Sequence, residues 1–546
     1  MNTRGLPLLL LAAAVALGWN LNGYRLLDPD EGRNGEVARE MAGSNDYLIP
    51  HLDGLPYLDK PIVYFAASAL AMELLGPTET AARLPAYLAT LATIALLVWF
   101  ARRRWGPDAG WLAGLAFATM PLTLAYAHTA IFDSTLALCT TAAIVCFFLE
   151  RTTLAWAAIA VGGLTKGPVA IAIPLAAMIP YALATGHPLR RLVSLRALGA
   201  FAIVGLPWFL AVTARMPEFP HYAFVYETFE RFTTPRFHRT APFWYYFPII
   251  LVAAFPWIVP LCARLKAWRA TWAARRDSAS ADSLWLASWV LGPLAMFTLN
   301  HSKLPQYVLP LMPAFALAAA RTLTTAGPRT AWRAYVALAT ALGILLVAFP
   351  RGIPGPVPLT PAERVAIPPA ALALGIVLLV SAACVALAAA RASTGLAALG
   401  YAMVVMAIPI ATAPLMAAVG DDRSAATLSA AIRAAPDNGG QVLIIAAYPP
   451  SLPFYLGHTI LVATAGAAEL TSNYIARYHE RLRALPNSPL RPADSWMATL
   501  ETCLEPTVFV TRAGNRTARA ALAVLPLLAD DGRYAAYGPC PPPSPR

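Results

Sequence analysis

The sequence predicts an α-helical polytopic membrane protein that carries a small α/β domain towards its carboxyl end. Three observations predict this fold class. The 546 residues are 58% hydrophobic and have a mean hydropathy of +0.56, which lies outside the range of soluble globular chains. Apolar runs long enough to cross about 30 Å of hydrocarbon recur along the first three quarters of the chain. After about Gly420 the composition changes to short apolar runs separated by turn residues.

The apolar runs predict about thirteen membrane crossings, at roughly 20 residues each. They are Leu6–Gly23, Leu84–Ala101, Ala109–Tyr126, Ser134–Leu149, the short halves Leu154–Leu164 and Pro168–Ala184, Ala197–Ala214, Trp244–Cys262, Leu284–Leu299, Leu304–Ala320, Trp332–Phe349, Ile367–Ala390 and Leu396–Ala417. Leu6–Gly23 follows Arg4 as in a signal peptide, but the many later runs predict a retained first span. Pro61–Leu75 is also apolar, and we expect it to lie along the outer membrane surface.

The distribution of basic residues predicts the topology. The net charge of +12 resides mostly in short loops between apolar runs, which the positive-inside rule explains without nucleic acid. These loops are Arg102–Arg104, Arg190–Arg196, Arg264–Arg276, Arg321–Arg333 and Arg391. If Pro61–Leu75 does not cross, all of them are cytoplasmic. The amino terminus is then cytoplasmic and the carboxyl-terminal domain is periplasmic.

Two domains follow from this pattern. Residues 1–419 form the transmembrane domain, with external loops 24–82 and 215–243, and residues 420–546 form the α/β domain. Within the latter, the patterns predict a helix at Ser424–Ala435, strands at Gln441–Tyr448 and Thr507–Thr511, and an exposed helix at Tyr474–Leu485. The six cysteines show no metal-binding spacing, and Cys503 and Cys540 could pair if this domain faces an oxidising compartment.

The stretch Leu27–Pro61 concentrates charge between apolar runs in a chain that is only 13% charged. Asp28, Asp30 and Glu31 come together where the first apolar run ends. Charged residues at a membrane boundary favour a functional site. A solvated loop with a capped helix explains them equally well, because Asp is also a good N-cap residue.

Ionisable residues also occur in the remaining segments that this topology places outside the membrane. Lys166 lies between two apolar halves that are short for a membrane span, and a broken helix is tolerated where it lines a cavity. We therefore expect the external segments to form the walls of one outward-facing cavity. These segments are Asp28–Pro61, His128–Asp133, Thr165–Pro168, Arg215–Phe243 and His301–Lys303.

Several motifs, in this order along the chain, resemble those of a known family. They are LDPDEGRNGEVAREM, PYLDKP, ARLPAYLAT, AHTAIFDSTLA, GLTKGP, HYAFVYETFERF, SKLPQYVLPLMPA and SLPFYLGH. The arrangement resembles the polytopic GT-C glycosyltransferases that use polyprenyl-phosphate sugars, in particular the bacterial aminoarabinose transferases of lipid A and the related protein O-mannosyltransferases. The resemblance implies a GT-C fold and a sugar donor carried on undecaprenyl phosphate.

The resemblance also implies roles for residues that match the family motifs. Asp30 and Asp133 would be the catalytic carboxylates, Asp30 as a base or a positioning group and Asp133 to orient cations or contact the sugar. The donor phosphate would be held by Arg33, Lys60, Lys166 and Tyr57. Contacts to the substrate or acceptor would come from Glu31, Asp59, Arg231, Lys303 and Tyr307.

Five of these residues have a simpler alternative role. Asp30 could merely cap the following helix, and Lys60 could extend to the membrane interface. Tyr57 and Tyr307 could be interfacial aromatic residues, and Lys303 could be a solvated loop residue.

One departure from the family pattern concerns metal binding. Relatives of the aminoarabinose type carry Glu-His before the Arg-Phe of the third external segment, whereas this chain has Thr228 in place of that His. We expect no metal and no other cofactor. A divalent metal near Asp59 is the alternative, but it would lack this ligand.

We expect an inner-membrane enzyme that transfers 4-amino-4-deoxy-L-arabinose from undecaprenyl phosphate to a lipid A phosphate. The expected partners are this donor, lipid A or a related acceptor and membrane lipids, with no nucleic acid and a monomeric state. Another envelope glycan, lipid or protein acceptor is the alternative. A lipid-linked sugar transporter would instead place acidic residues near the membrane centre, and an envelope scaffold would not explain the charged external loops.

Overall fold

The computed structural model describes residues 5–230, 241–262, 272–274, 278–325, 329–351, 359–436 and 440–540. The chain is mostly helical and divides into two compact units. The first unit comprises Met1–Leu21, Pro85–Pro217 and Phe224–Leu415, and the second comprises Asn22–Leu84, Glu218–Ala223 and Met416–Arg546. The predicted external loop 24–82 thus belongs to the same unit as the α/β region. The domain border predicted at residue 420 stays a prediction.

The first unit is built from long apolar helices. They are α1 (Leu6–Gly18), α4 (Glu79–Trp105, from Pro85 onward), α5 (Pro107–Ala118), α6 (Pro121–Ala127), α7 (Asp133–Phe148), α8 (Thr152–Lys166), α9 (Val169–Thr185), α10 (Leu195–Arg215), α11 (Tyr246–Ala253), α12 (Val259–Cys262), α13 (Ser278–Leu299), α14 (Met312–Thr325), α15 (Arg329–Ala348), α16 (Pro361–Arg391) and α17 (Thr394–Ala411).

Six helical segments within the described residues are long and apolar enough to cross a membrane, and a bent pair makes a seventh. Five further apolar helices are shorter. The chain is therefore a multi-pass membrane protein, and the count of thirteen crossings stays a prediction.

Two predicted spans are broken, and proline explains both breaks. Ala109–Tyr126 was predicted as one span, but α5 and α6 meet at an angle of 64°. Met120 precedes Pro121 and has extended backbone geometry, because a residue before proline is disfavoured in the helical region. Trp244–Cys262 likewise divides into α11 and α12 around Pro256.

The predicted break near Lys166 is confirmed. Helix α8 ends at Lys166 and α9 begins at Val169. Gly167 between them has φ of +76°, a conformation that glycine adopts without steric cost. This turn places Lys166 at a helix end.

Large aromatic side chains fill the core of the first unit. Trp257, Trp285 and Trp289 are fully buried, and the rings of Trp285 and Phe148 stack with centroids 4.2 Å apart. The indole of Trp257 donates a hydrogen bond to Thr119 Oγ1 at 2.9 Å. The Trp257 indole thus has a polar partner, as buried indoles usually do.

The second unit combines the first external loop with the α/β region. Its elements before residue 84 are α2 (Asp30–Ser44), a two-stranded antiparallel hairpin of β1 (His51–Leu52) and β2 (Leu55–Pro56), and α3 (Val63–Leu75). Helix α3 coincides with the predicted apolar segment Pro61–Leu75, and its position along a membrane surface stays a prediction. A helical turn at Phe219–His221 and the first residues of a π-helical segment, Tyr222–Glu230, also belong here.

The α/β region contains a six-stranded mixed sheet. Its strands are β3 (Gln441–Ile445), β4 (Leu461–Ala463), β5 (Leu490–Arg491), β6 (Thr507–Arg512), β7 (Leu527–Asp530) and β8 (Tyr534–Cys540), in the spatial order β5-β4-β3-β6-β8-β7. Strands β5, β4, β3 and β6 are parallel, and β8 pairs antiparallel with both β6 and β7. The helices are α18 (Ala413–Asp422), α19 (Ala426–Arg433), α20 (Ser451–Leu456), α21 (Asn473–Arg477), α22 (His479–Arg483), α23 (Ser495–Thr502) and α24 (Arg516–Leu522).

The α/β character was thus predicted correctly, but one helix was not. Tyr474–Leu485 was predicted as a single exposed helix, whereas α21 and α22 are separated at Tyr478. Tyr474 and Ile475 are fully buried, because they pack into the unit while the charges face outward. Cys503 and Cys540 form a disulfide, as their positions allowed.

Candidate active site

Asp30 and Arg33 form an ion pair on the first turn of α2. Arg33 Nη2 donates to Asp30 Oδ1 at 2.6 Å, and the Asp30 side chain is 48% exposed. Asp30 is the first helical residue, and the capping position is occupied by Pro29, which offers no side-chain acceptor. The capping alternative is therefore wrong for Asp30. The carboxylate instead faces solvent beside a cation.

Arg33 is held in place from both sides. Its Nη1 donates to the carbonyl oxygen and to Oγ1 of Thr471, at 3.1 and 3.0 Å. Burial pulls the pKa of Arg33 downward, but Tyr57, Asp30 and Asp59 raise it above its ordinary value. The guanidinium thus supplies a fixed positive charge with the planar geometry that suits phosphate oxygens.

Glu31, one residue further, has a different environment. Its carboxylate accepts two hydrogen bonds of 2.9 Å from Arg83, and it also accepts from the Leu27 amide. Both side chains are buried, and the Arg83 guanidinium lies 3.8 Å from the centre of the Tyr24 ring. A buried pair with this geometry fixes the start of α2. The predicted acceptor contact of Glu31 stays a prediction.

Asp28 joins the first loop to the α/β region. Its two carboxylate oxygens accept from the Ser451 amide at 2.8 Å and the Ser451 hydroxyl at 2.7 Å. Gly32 permits this approach, since a Cβ at that position would lie 2.2 Å from Asp28 Oδ1 and 2.6 Å from the Ser451 amide nitrogen. Burial raises the pKa of Asp28 to about 7, although the Ser451 hydrogen bonds lower it.

Asp59 has three hydrogen-bond donors. Its carboxylate accepts from the Tyr222 hydroxyl and from the amides of Asn473 and Tyr474, both at 2.9 Å. The rings of Tyr222 and Tyr474 meet edge to face with centroids 5.1 Å apart. Asp59 therefore ties segment 218–223 to α21, and its predicted contact with the acceptor stays a prediction.

A second contact reinforces this tie. Glu218 accepts hydrogen bonds from the hydroxyl of Tyr474 at 2.5 Å and from the guanidinium of Arg481. Both donors lie in the α/β region. The segment that precedes the predicted acceptor residue Arg231 is thus anchored, although Arg231 itself lies outside the described residues.

Lys60 and Tyr57 are the remaining predicted residues of this unit. Lys60 Nζ donates to the carbonyl oxygen of Asp59 at 2.6 Å. Tyr57 is buried, and its ring packs edge to face on Phe65 with centroids 5.8 Å apart. Burial in this unit excludes the interfacial-belt alternative for Tyr57.

Lys166 and Asp133 pair at helix ends in the first unit. Lys166 Nζ lies 2.5 Å from Asp133 Oδ1, and the side chains are 15% and 2% exposed. Asp133 is the first residue of α7, where a carboxylate interacts favourably with the helix dipole. The ammonium also lies 5.0 Å from the Phe132 ring centre and 5.2 Å from that of Tyr307. The structure thus brings together three residues predicted from separate motifs: Asp133, Lys166 and Tyr307.

Lys303 was predicted to bind the acceptor or to be solvated. Its side chain is buried, and Nζ donates to the carbonyl oxygen of Asn300 at 2.8 Å. The solvated-loop alternative is wrong, because the Lys303 side chain is only 8% exposed. Its role with an acceptor stays a prediction.

The metal prediction also stays open to experiment. Across the described parts of the chain, no three His, Cys, Asp or Glu side chains lie close enough together to hold a metal ion. Asp59, the carboxylate singled out by the family motif, is directed to Tyr222, Asn473 and Tyr474.

Sequence reasoning missed Arg83, Ser451, Tyr222 and Tyr474 as parts of these networks. Arg83 had a detectable signal, because it directly precedes the apolar run Leu84–Ala101, and a charged residue at a membrane boundary requires a partner. Ser451 and the two tyrosines had none. Their contacts with Asp28, Asp59 and Glu218 join segments that are 163 to 423 residues apart in the chain.

Known proteins resemble both the sequence and the fold. A family model described as dolichyl-phosphate-mannose-protein mannosyltransferase matches residues 59–213. The chain is 32% identical, over 60% of its length, to the undecaprenyl phosphate-alpha-4-amino-4-deoxy-L-arabinose arabinosyl transferase of Yersinia enterocolitica, and 34% identical, over 61% of its length, to that of Edwardsiella ictaluri. It spans 61% and 64% of these relatives, which is less than two thirds of their length.

The structural similarity extends over almost the whole chain. ArnT from Cupriavidus metallidurans bound to undecaprenyl phosphate superposes with a TM-score of 0.84 at 25% identity, over 99% of both chains. The apo form of that protein gives a TM-score of 0.82 at 24% identity, also over 99% of both chains. The fold of this membrane chain is therefore that of the polytopic GT-C glycosyltransferases, and the family resemblance shown by its motifs is confirmed.

Proposed function

We propose that this protein is a polyprenyl-phosphate-sugar-dependent glycosyltransferase. It moves 4-amino-4-deoxy-L-arabinose from undecaprenyl phosphate to a phosphate of lipid A. The observation that carries the proposal is the half-exposed Asp30 carboxylate, which is held 2.6 Å from Arg33 at the start of α2. The similarity to ArnT bound to undecaprenyl phosphate supports the choice of donor.

The reaction requires few protein groups. An acceptor oxygen forms a bond to the anomeric carbon of the sugar, and the bond from that carbon to the donor phosphate oxygen breaks. Undecaprenyl phosphate leaves with the bonding electrons and additional negative charge. Arg33, Lys60 and Lys166 supply positive charges of the kind that stabilises such a leaving group.

The role of Asp30 depends on the acceptor. A hydroxyl acceptor must lose a proton, which a carboxylate within hydrogen-bond reach can remove. A lipid A phosphate is already ionised near neutral pH, so Asp30 would then orient the acceptor and hold Arg33. Asp133 would orient Lys166 in the same manner, because the two groups are in direct contact.

We place the protein in the inner membrane as a monomer with a cytoplasmic amino terminus, about thirteen crossings and a periplasmic α/β region. The distribution of basic loops supports this orientation. The disulfide between Cys503 and Cys540 supports it independently, since such bonds persist in oxidising compartments.

A second candidate differs in the acceptor. The family model that matches residues 59–213 describes protein mannosyltransferases. Transfer of a polyprenyl-linked sugar to a protein, or to another envelope glycan or lipid, therefore remains the alternative. It would require Asp30 to act as a base, because a protein hydroxyl carries a proton.

The test uses the purified protein in detergent with undecaprenyl-phosphate 4-amino-4-deoxy-L-arabinose and lipid A. Mass spectrometry measures the sugar adduct formed by the parent, Asp30→Asn and Asp494→Asn. Asp494 is an exposed carboxylate of the α/β region and serves as the matched control. We expect the adduct to form at the same rate with the parent and the control, and at a reduced rate with folded Asp30→Asn.

Two other results would change the conclusion. An adduct only with a hydroxyl acceptor would favour the second candidate. Failure with a broad donor and acceptor panel, together with movement of lipid-linked sugar across vesicles, would replace the enzyme by a transporter.

Metal dependence is tested in the same assay. We expect chelation by EDTA to leave the rate unchanged, since the Asp59 carboxylate already has three protein donors. Loss of activity on EDTA treatment and recovery on addition of a divalent ion would contradict this expectation.

A further inference from the structure

The first unit contains a groove that none of the predicted site residues line. It lies between α1, α4 and α5 and has a volume of about 660 Å³. Most of its wall is aliphatic, including Leu10, Ala14, Leu91 and Ala95. A volume of this size is typical of ligand-binding cavities.

One end of the groove is cationic. Arg102 and Arg103, near the end of α4, line it together with Trp99 and Trp111. The Arg102 guanidinium lies 4.8 Å from the Trp111 ring centre, and that of Arg103 lies 5.4 Å from Trp99. Tryptophan next to arginine at the end of an apolar helix is typical of a membrane interface.

The two arginines differ from their neighbour Arg104. Arg104 forms an ion pair with Asp282 at 3.0 Å, whereas within the described part of the chain neither Arg102 nor Arg103 pairs with a carboxylate. The cationic end therefore carries two positive charges that the described protein does not neutralise. Such a site is complementary to an anionic group.

Helix α5 keeps Arg102 in this position. Gly110 faces the arginine stem, since a Cβ at Gly110 would lie 2.0 Å from Arg102 Cγ. Gly114 allows α5 to pack closely on α4, because a Cβ there would lie 2.5 Å from Val98 Cγ2. Larger residues at either position would displace the wall that carries Trp111.

The length of the groove matches one leaflet of a bilayer. From Leu91 to Arg103 the helix rises by roughly 18 Å, at 1.5 Å per residue. This is a little more than half of the approximately 30 Å hydrocarbon thickness. An acyl chain of one leaflet can therefore lie along α4 while its head group reaches the arginines.

We propose that this groove is a binding site for an anionic glycerophospholipid. The acyl chain packs against Leu10, Leu91 and Ala95, and the phosphate lies between Arg102 and Arg103. A net negative head group is favoured over a zwitterionic one, because a choline or ethanolamine would add positive charge beside two guanidinium groups. The site is independent of the donor and acceptor proposed above.

The test is native mass spectrometry of the full-length protein, delipidated in detergent and titrated with phosphatidylglycerol or with phosphatidylcholine of the same acyl chains. We expect phosphatidylglycerol to bind the parent at least about tenfold more tightly. The variant Arg102→Gln/Arg103→Gln removes two interfacial cations, each contributing about 1 kcal/mol. We therefore expect roughly thirtyfold weaker phosphatidylglycerol binding, which corresponds to about 2 kcal/mol.

Two matched controls separate this site from general effects. Arg190→Gln/Arg196→Gln removes the same charge from two exposed arginines that do not line the groove, and should bind like the parent. Ala95→Trp fills the groove and should abolish saturable binding. Ala92→Trp, on an exposed position of α4 outside the groove, should not.

Four outcomes would overturn the proposal. They are equal binding of the two phospholipids by the parent, equal binding by Ala95→Trp and Ala92→Trp, displacement of phosphatidylglycerol by glycerol 3-phosphate alone, and displacement by equimolar undecaprenyl phosphate. The third would show a site for a free phosphate and the fourth a site for a polyprenyl lipid. If Arg102→Gln/Arg103→Gln fails to fold, the comparison of Ala95→Trp with Ala92→Trp still decides whether the lipid binds in the groove.

Discussion

Two arginine–carboxylate pairs begin at adjacent residues of α2 and have opposite environments. Glu31 and Arg83 are 2% and 0% exposed and form two hydrogen bonds of 2.9 Å. Asp30 is 48% exposed and makes a shorter contact with Arg33. The first turn of α2 thus exposes the Asp30 carboxylate to solvent and buries the Glu31 carboxylate.

The difference shows that two similar ion pairs can have different roles, one in stability and one at an accessible site. Arg83 also donates to the carbonyl oxygens of Tyr24 and Arg25, so its guanidinium organises the loop before α2. A buried pair of this kind becomes strongly unfavourable when one partner is removed. In the second pair Arg33 is 13% exposed but the Asp30 carboxylate is half exposed, so this carboxylate contributes less to stability and remains accessible to a substrate.

The largest effect is expected for Arg83→Met. It leaves Glu31 buried without its cation, so we expect destabilisation by about 3–5 kcal/mol. Arg25→Met is the matched control, because Arg25 pairs with Glu79 at 3.2 Å but is 52% exposed. Thermal unfolding in detergent measures both. Similar melting temperatures for the two variants would show that the buried pair stabilises the fold no more than the exposed pair does.

Asp30→Asn should reduce the rate of transfer while leaving stability almost unchanged. With a hydroxyl acceptor, whose proton Asp30 would remove, we expect the transfer rate to fall by about 10²–10⁴-fold, the range for loss of a general acid or base, while stability changes by less than about 1 kcal/mol. If Asp30 only orients the acceptor, the loss should be smaller and appear mainly in KM. A fall in melting temperature as large as that of Arg83→Met would assign Asp30 to the fold.

Tyr222→Phe extends the comparison to Asp59. Loss of the hydroxyl leaves this buried carboxylate with two amide donors, which we expect to reduce stability by about 1–3 kcal/mol. Tyr47→Phe, which loses a surface hydrogen bond to Glu73, should have little effect. Equal effects in thermal unfolding would show that the Asp59 contact does not stabilise the unit.

A further comparison concerns pH and Asp28. Because burial raises the folded-state pKa to about 7 from 3.8, the folded protein retains a proton that the unfolded chain releases. This stabilisation is complete below the unfolded pKa and is lost as the pH rises through about 7. The melting temperature of the parent should therefore fall between about pH 4 and pH 7 and change little with Asp28 above that range.

Asp28→Asn removes this titration and should show a weaker decline. Glu40 and Asp53, whose pKa values are also raised by burial, contribute to the slope in both proteins. Identical pH profiles would mean that Asp28 does not titrate between its folded and unfolded states.

The sequence allowed some elements to be predicted because their signals are local. The helix break at Lys166 follows from a Lys-Gly-Pro run between two apolar halves, and the parallel strands β3 and β6 follow from compact apolar runs. The exposed acid at Asp30 was identified by a family motif. In each case neighbouring residues contain the information.

Other features depend on distant contacts that local patterns do not encode. Strands β4 and β5 have three and two residues, too few for an alternating pattern, and exist through pairing with β3 and with each other. Likewise, Asp28 was identified as part of a charged stretch, but its partner Ser451 lies more than 400 residues away in the chain. Tertiary structure alone distinguishes its role from that of Asp30.

The strand order of the sheet has a consequence for biogenesis. Strand β8 lies between β6 and β7, although β7 precedes it in the chain. Both β6 and β7 pair with β8, so neither pairing can form until residues 534–540 have left the ribosome. Meanwhile the edge of β6 is exposed, and exposed strand edges favour aggregation. Translation that stops before residue 534 should therefore leave an assembly intermediate that depends on chaperones or is degraded.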